Sequence, residues 1–212
     1  MNTEVVHNFC ESIMHHGHPP EYFNAFSSFF MTLIPLFLGL PKSMYFFYGG
    51  NLLLFNGFAS FYYHFFLNFL GKQADEISMI LISYFSIMGL IHMIHKDSTT
   101  KIKKYNLCNT LFAMCFIIFN TEIYFDFLFP YFFGIYVLFL LKCLYHVHRK
   151  FEIPMLQNLG LSFFGASCWF VSELYCNQYT QYGHILWHLF FPLGFYRIIL
   201  DCDEIYNRET LL

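Results

Sequence analysis

Seven long apolar stretches, separated by short polar or charged segments, occupy most of this 212-residue chain. They comprise residues 22–40, 43–70, 76–95, 105–125, 127–147, 155–175 and 182–199. A helix needs about 20 residues to cross the hydrocarbon of a bilayer, and most of these stretches are close to that length. The second one is longer, so we expect it to tilt or protrude. The pattern predicts an all-α membrane protein with a bundle of seven transmembrane helices.

The composition is that of a protein largely surrounded by lipid. Charged residues make up 12% of the chain, against about 25% in average globular proteins. This balance excludes a disordered chain, a nucleic-acid-binding protein and an ordinary cytosolic enzyme. Core helices of a soluble protein would also be apolar, but seven of them in a chain this short would lack polar faces to cover them.

The basic residues predict the orientation of the helices. With seven spans, ten of the eleven Lys and Arg residues fall on one side of the membrane, and Lys72 alone falls on the other. Because cytosolic loops carry the excess of positive charge, the N-terminus is expected to be lumenal or extracellular and the C-terminus cytosolic. No cleavable signal peptide, repeat or linker is evident. We therefore expect a single domain over residues 1–212.

Polar residues inside membrane helices are costly and are therefore candidates for function. With this topology, His64, Asp75, His184 and His188 are all expected near the lumenal side. His184 and His188 are four residues apart, so they share a helix face and could hold one metal ion. Three histidines with an open fourth position are a ligand set of catalytic zinc. The sequence thus indicates a metal site at this depth.

Each of these residues also has a structural interpretation. Two histidines at a membrane surface occur without a metal, and Asp75 could cap the third helix, where the helix dipole favours a carboxylate. Ser60 lies four residues before His64 on the same face, where a serine could equally serve helix packing. Further histidines at positions 15, 16 and 18 are a second source of ligands, in a Gly- and Pro-containing setting typical of a solvated loop.

Four motifs stand in order along the chain. They are Phe9-Cys10-Glu11 with Glu21-Tyr22-Phe23-Asn24 and Ser27-Ser28, then Ser60-Phe61-Tyr62-Tyr63-His64, then Gln73-Ala74-Asp75-Glu76-Ile77-Ser78-Met79, and finally His184-Ile185-Leu186-Trp187-His188. Together they resemble the motifs of the alkaline ceramidases, which share a superfamily of seven-helix hydrolases with the progestin and adipoQ receptors. The first and third motifs favour ceramidases over the receptor-like relatives.

The resemblance implies a zinc ion held by His64, His184 and His188, with Asp75 as general base and Ser60 as a donor to the oxyanion. The implied reaction is cleavage of the ceramide amide bond to a sphingoid base and a free fatty acid. The implied partners are a ceramide-type lipid and membrane lipids, in the endoplasmic reticulum or Golgi, with the plasma membrane as an alternative. Two other functions stay open, namely a lipid-binding receptor of the same superfamily and a hydrolase of another lipid ester or amide.

The resemblance also implies a calcium ion beside the first motif, where this chain departs from the family pattern. Asn8 replaces an Asp, Phe9 replaces a Trp and Ile13 replaces an Asn, while Glu11 and Glu21 remain as oxygen ligands. Calcium takes roughly six to eight oxygen ligands. Calcium is therefore a weaker expectation than zinc.

The seven cysteines lead to one further expectation. With the predicted topology, only Cys10 and Cys176 fall on the lumenal side. An oxidising lumen would permit a disulfide between them, which would tie the N-terminal segment to the loop before His184. The alternative is a pair of free thiols.

Overall fold

The computed structural model of the protein describes residues 9–15, 20–120 and 128–210. For residues 209 and 210 it describes the backbone only. Within these ranges the chain is helical and has no β-strand, which confirms the all-α class. The helices are α1 (Cys10–Met14), α2 (Tyr22–Leu38), α3 (Met44–Phe66), α4 (Phe69–Ile94), α5 (Thr99–Asn120), α6 (Phe129–Phe151), α7 (Leu156–Leu174) and α8 (Gly183–Thr210), with a 3₁₀ turn at Thr180–Tyr182.

The helices from α2 to α8 follow the seven apolar stretches in order. Among the described residues, α4, α6 and the segment Thr180–Arg208 are long and apolar enough to cross a membrane, and α2 is a shorter apolar helix. By length and composition, these segments indicate a membrane protein. The count of seven spans and the orientation of the termini stay predictions.

Helix α4 begins earlier than the sequence pattern predicts. It starts at Phe69 rather than at residue 76, two residues after Leu67, whose φ of 44° turns the chain at the end of α3. Asn68 caps the new helix, because its Oδ1 accepts a hydrogen bond from the backbone N–H of Gly71 at 2.7 Å. Asp75 therefore lies in the second turn of α4, and the interpretation of Asp75 as a helix cap is wrong.

The chain divides into two compact units. Unit 1 comprises Met1–Gly39, Leu53–Asp75 and Leu156–Ile198, and unit 2 comprises Leu40–Leu52, Glu76–Met155 and Ile199–Leu212. Every candidate catalytic and zinc-binding residue from the sequence falls in unit 1. A single domain over residues 1–212 stays a prediction.

Within unit 1, α2 and α3 pack at very short range. A Cβ atom placed on Gly57 would lie 2.7 Å from the backbone nitrogen of Thr32 and 2.9 Å from the carbonyl oxygen of Ser28. The hydroxyl of Thr32 donates to the carbonyl oxygen of Leu54 at 3.0 Å, which closes the same contact. The absence of a side chain at Gly57 thus lets α2 bring its serines against α3.

Candidate metal centre

Three buried histidines of unit 1 form a cluster. His64 comes from the last turn of α3, and His184 and His188 come from the first two turns of α8. One ring nitrogen of each histidine lies within 4.8 Å of the corresponding atoms of the other two, and the most exposed of the three is only 5% exposed. The spacing of four residues places His184 and His188 on one face of α8, with ring centroids 4.7 Å apart.

Each histidine of this cluster faces a different polar side chain through its Nδ1 atom. His64 Nδ1 lies 2.6 Å from a carboxylate oxygen of Glu21, and His188 Nδ1 lies 2.8 Å from the hydroxyl of Ser27. His184 Nδ1 lies 3.8 Å from Glu173 Oε1, too far for a hydrogen bond. Since Nδ1 is engaged in His64 and His188, their Nε2 atoms remain for a metal ion.

The cluster fits a zinc ion. Zinc favours imidazole nitrogen, and catalytic zinc sites commonly combine three protein ligands with an open position. The three histidines form the candidate ligand group among the described residues, and no fourth protein ligand joins them there. Metal-bound histidines also usually bond a second polar group through their other ring nitrogen, as His64 and His188 do.

One face of α3 carries a row of polar side chains that leads to His64. Asn56, Ser60 and His64 follow one another at intervals of four residues, and all three are buried. The amide nitrogen of Asn56 donates to Asp75 Oδ1 at 2.8 Å. Ser60 Oγ lies 3.1 Å from the hydroxyl of Ser28 on α2. Ser60 therefore lies on the face of α3 that ends in His64, and Asp75 is hydrogen-bonded to the same face through Asn56.

Several of these contacts were not predicted from the sequence. Asn56 carries a signal that could have revealed it, because it extends the spacing of Ser60 and His64 by one more turn. Glu173 is a charged residue in an apolar stretch, which is itself a functional signal in a membrane protein. Ser27 lies in the first of the four motifs, but nothing in the sequence connects it with His188.

The two glutamates near the N-terminus make dense hydrogen bonds. Glu11 accepts backbone N–H groups of Phe23 at 2.8 Å and Asn24 at 2.9 Å, and thereby caps α2. Burial raises the pKa of Glu11, and these two hydrogen bonds offset part of the rise. Burial alone would also raise the pKa of Glu21, but hydrogen bonds from His64 and Ser12 outweigh it and hold that pKa at about 2.

The described residues of this segment do not fit a calcium ion. The oxygens of Glu11 and Glu21 accept hydrogen bonds from N–H and O–H donors, and the side chain of Ile13 is apolar and exposed. The ring of Phe9 packs edge-on against His184 with centroids 4.7 Å apart. One buried acceptor, Asn24 Oδ1, has no hydrogen-bond partner among the described residues, but one amide oxygen cannot supply the set that calcium requires. Asn8 lies outside the described residues.

A disulfide fastens α1 to the segment before α8. It joins Cys10 to Cys176, whose Cα atoms are 5.2 Å apart. The backbone N–H of Cys10 also donates to Glu173 Oε2 at 3.2 Å, so the same link reaches the carboxylate that faces His184. The other five cysteines are free thiols.

The histidines at positions 15, 16 and 18 were the second source of ligands suggested by the sequence. Among the described residues, they add no ligand to this site. His15 lies at the C-terminal end of α1 and does not belong to the group of candidate ligands. The histidines at positions 16 and 18 lie outside the described residues.

The comparison with known protein families agrees with the motifs. A family model described as Ceramidase matches residues 2–208, which is nearly the whole chain. No individual curated protein matches it. The resemblance drawn from the four motifs is thereby confirmed.

Proposed function

The chain belongs to the ceramidase family, and from this premise we propose that it is a zinc-dependent membrane amidohydrolase. Its proposed reaction is cleavage of the amide bond of ceramides to a sphingoid base and a free fatty acid. The observation that carries the proposal is the buried cluster of His64, His184 and His188, whose ring nitrogens converge within 4.8 Å. Burying three imidazoles together in an apolar chain is costly without a shared ligand, and a metal ion is such a ligand.

The catalytic roles follow from the chemistry of amide hydrolysis. Zinc, when bound, lowers the pKa of water toward about 7 and polarises a carbonyl group. Asp75 accepts the proton of the attacking water and returns it to the leaving amine. Ser60 donates a hydrogen bond to the oxygen that becomes negatively charged. Both side chains are buried, so they act in an environment where such interactions are stronger than in water.

A membrane setting suits a substrate with two hydrocarbon chains. On α2, Phe26, Phe30 and Phe37 are exposed, as expected for side chains that contact lipid. With seven spans and a lumenal N-terminus, the histidine cluster would lie a short distance below the lumenal surface, at the depth of a ceramide amide. We propose the endoplasmic reticulum or Golgi as the compartment, since the oxidising lumen there permits the disulfide.

Metal analysis combined with hydrolysis of a fluorescent short-chain ceramide tests the proposal. We expect about one zinc ion per chain in the purified full-length protein. Fatty-acid release should stop when a chelator removes the zinc and should return when zinc is restored. The Asp75→Asn variant should retain zinc but lose turnover, because only the proton acceptor has changed.

Two outcomes would contradict the proposal. Undiminished turnover by folded, zinc-free protein would exclude zinc dependence. Hydrolysis of other lipid esters or amides in a substrate panel, with ceramide left intact, would assign the same centre to a different substrate.

A further inference from the structure

We propose that Glu21 is a positioning residue of the metal centre, which orients the ring of His64, and that it is not a calcium ligand. This inference rests on the proposed zinc centre. It gives a defined role to a buried carboxylate that the family pattern would assign to a different metal.

Glu21 is attached to His64 at two points. A carboxylate oxygen of Glu21 lies 2.6 Å from His64 Nδ1, and the backbone N–H of Glu21 donates to the carbonyl oxygen of His64 at 3.0 Å. Both side chains are almost completely buried. The second bond also satisfies a carbonyl group in the last turn of α3, which has no partner within its own helix. The ring and the backbone of His64 are therefore fixed by the same residue.

Other hydrogen bonds hold the carboxylate of Glu21 in place. The hydroxyl of Ser12 donates to Oε1, and the amide of Asn24 donates to Oε2 at 3.3 Å. These donors come from α1 and from the first turn of α2. The position of the carboxylate is thus set by protein groups, with no need for a cation.

A carboxylate is the strongest outer partner in this cluster. A hydrogen bond between an imidazole N–H and an ionised carboxylate is stronger than one to a neutral hydroxyl, which is what Ser27 offers to His188. The carboxylate of Glu173 stands 3.8 Å from His184 Nδ1 and makes no hydrogen bond to it. An acceptor on Nδ1 fixes the tautomer with Nε2 free for the metal and raises the basicity of that nitrogen. We therefore expect His64 to depend on its outer partner more than the other two histidines do.

Glu11 provides a matched control for Glu21. Both are buried glutamates of the same N-terminal region, and both accept several hydrogen bonds. The carboxylate of Glu11, however, accepts from backbone N–H groups at the start of α2, and it makes no hydrogen bond to the histidine cluster within the described residues. Loss of charge at Glu11 should weaken the helix cap, whereas loss of charge at Glu21 should weaken metal binding.

The test compares the Glu21→Gln and Glu11→Gln variants of the full-length protein in detergent. Zinc affinity is measured by competition with a chromophoric chelator, without any substrate. We expect Glu21→Gln to raise the dissociation constant about 10- to 100-fold, and to alter the visible spectrum of the cobalt-substituted protein. Glu11→Gln should lower the melting temperature of the zinc-free protein and leave both metal readouts unchanged.

Several outcomes would overturn the inference. One is zinc affinity and a cobalt spectrum that are unchanged in Glu21→Gln. Another is calcium binding by the unmodified protein that disappears in the same variant, since Glu21 would then be a calcium ligand. If Glu21→Gln does not fold, Glu21→Asp keeps the charge but shortens the reach to His64, and unchanged zinc affinity in that variant would be equally decisive.

The design separates this inference from the proposed function. Unmodified protein that binds no zinc would refute both. Zinc binding that is insensitive to residue 21 would refute only the role of Glu21, and ceramide hydrolysis would then stand or fall on its own assay.

Discussion

Unit 1 and unit 2 each bury a carboxylate that is fully engaged in hydrogen bonds, and the donors differ. In unit 2, Asp203 of α8 accepts the backbone N–H groups of Lys42 and Ser43, each at 2.8 Å, and also the Ser43 hydroxyl. These groups lie directly before α3, so Asp203 caps that helix. In unit 1, Glu21 accepts from the ring of His64, a member of the histidine cluster.

The contrast shows that burial of a carboxylate does not by itself indicate function. A buried charge is tolerated only when its oxygens have donors, and both residues meet that condition. Backbone donors at a helix start define a stabilising cap. A donor that is itself a candidate metal ligand defines a residue of the site. We therefore expect substitutions around Glu21 and around Asp203 to affect different properties.

Removal of a histidine from the cluster should have the largest effect. His188→Ala deletes one of three candidate zinc ligands and the contact with Ser27, so zinc binding and ceramide hydrolysis should both fall to background. The control is His146→Ala, because His146 is an exposed histidine in unit 2. Metal content and turnover are measured on both purified variants. Zinc retained by His188→Ala at full stoichiometry would remove this residue from the site.

Loss of the disulfide should have the next largest effect. It should affect unit 1, which contains Glu21. Cys176→Ser releases α1, which carries Ser12, and should lower stability by about 2–4 kcal/mol. Thermal unfolding in detergent should show a lower melting temperature, which a reductant reproduces in the unmodified protein. The exposed free thiol Cys108 provides the control variant Cys108→Ser. Two thiols open to alkylation in the native protein would disprove the link.

Crowding the contact between α2 and α3 should have an intermediate effect on unit 1. Gly57→Ala places a Cβ against Thr32 and Ser28, so we expect a loss of about 1–3 kcal/mol from overpacking. The same substitution at Gly160 in α7 meets no atom within 4 Å and should be tolerated. Melting temperatures of the two variants test the difference. Equal values would mean that the helices can separate without cost.

The smallest effect is expected at the carboxylate of unit 2. Asp203→Asn weakens a helix cap and should cost about 1 kcal/mol of stability while leaving zinc affinity unchanged. The matched control is Glu204→Gln, because Glu204 is exposed and pairs with Arg208 on the surface. A change in zinc affinity for Asp203→Asn would erase the distinction between the two carboxylates.

The order of the helices was predictable because it depends on long apolar stretches. The start of α4 was not, since it depends on a single capping residue, Asn68, and on the turn at Leu67. Apolar pattern alone cannot locate a helix start when polar residues such as Lys72, Gln73 and Asp75 lie inside the first turns. In the structure these residues are helical, and Lys72 and Asp75 are buried.

The members of the histidine cluster were predictable from spacing and depth, but their outer partners were not. His184 and His188 identify each other by their interval of four residues. Glu21 and His64 are 43 residues apart, and no periodicity connects them. Ser27 and His188 are separated by 161 residues. Such pairs depend on how the helices pack, which is a property of the folded chain.

The disulfide has a consequence for biosynthesis. Its two cysteines are separated by 166 residues, so the second one is translated long after the first. At roughly 5–20 residues per second, Cys10 waits about 10–30 s for its partner. His184 and His188 follow Cys176 along the chain. The nascent protein therefore carries an unpaired thiol and a solitary His64 through most of its synthesis, and the closing of the covalent link and the completion of the metal site both belong to the last stage of assembly.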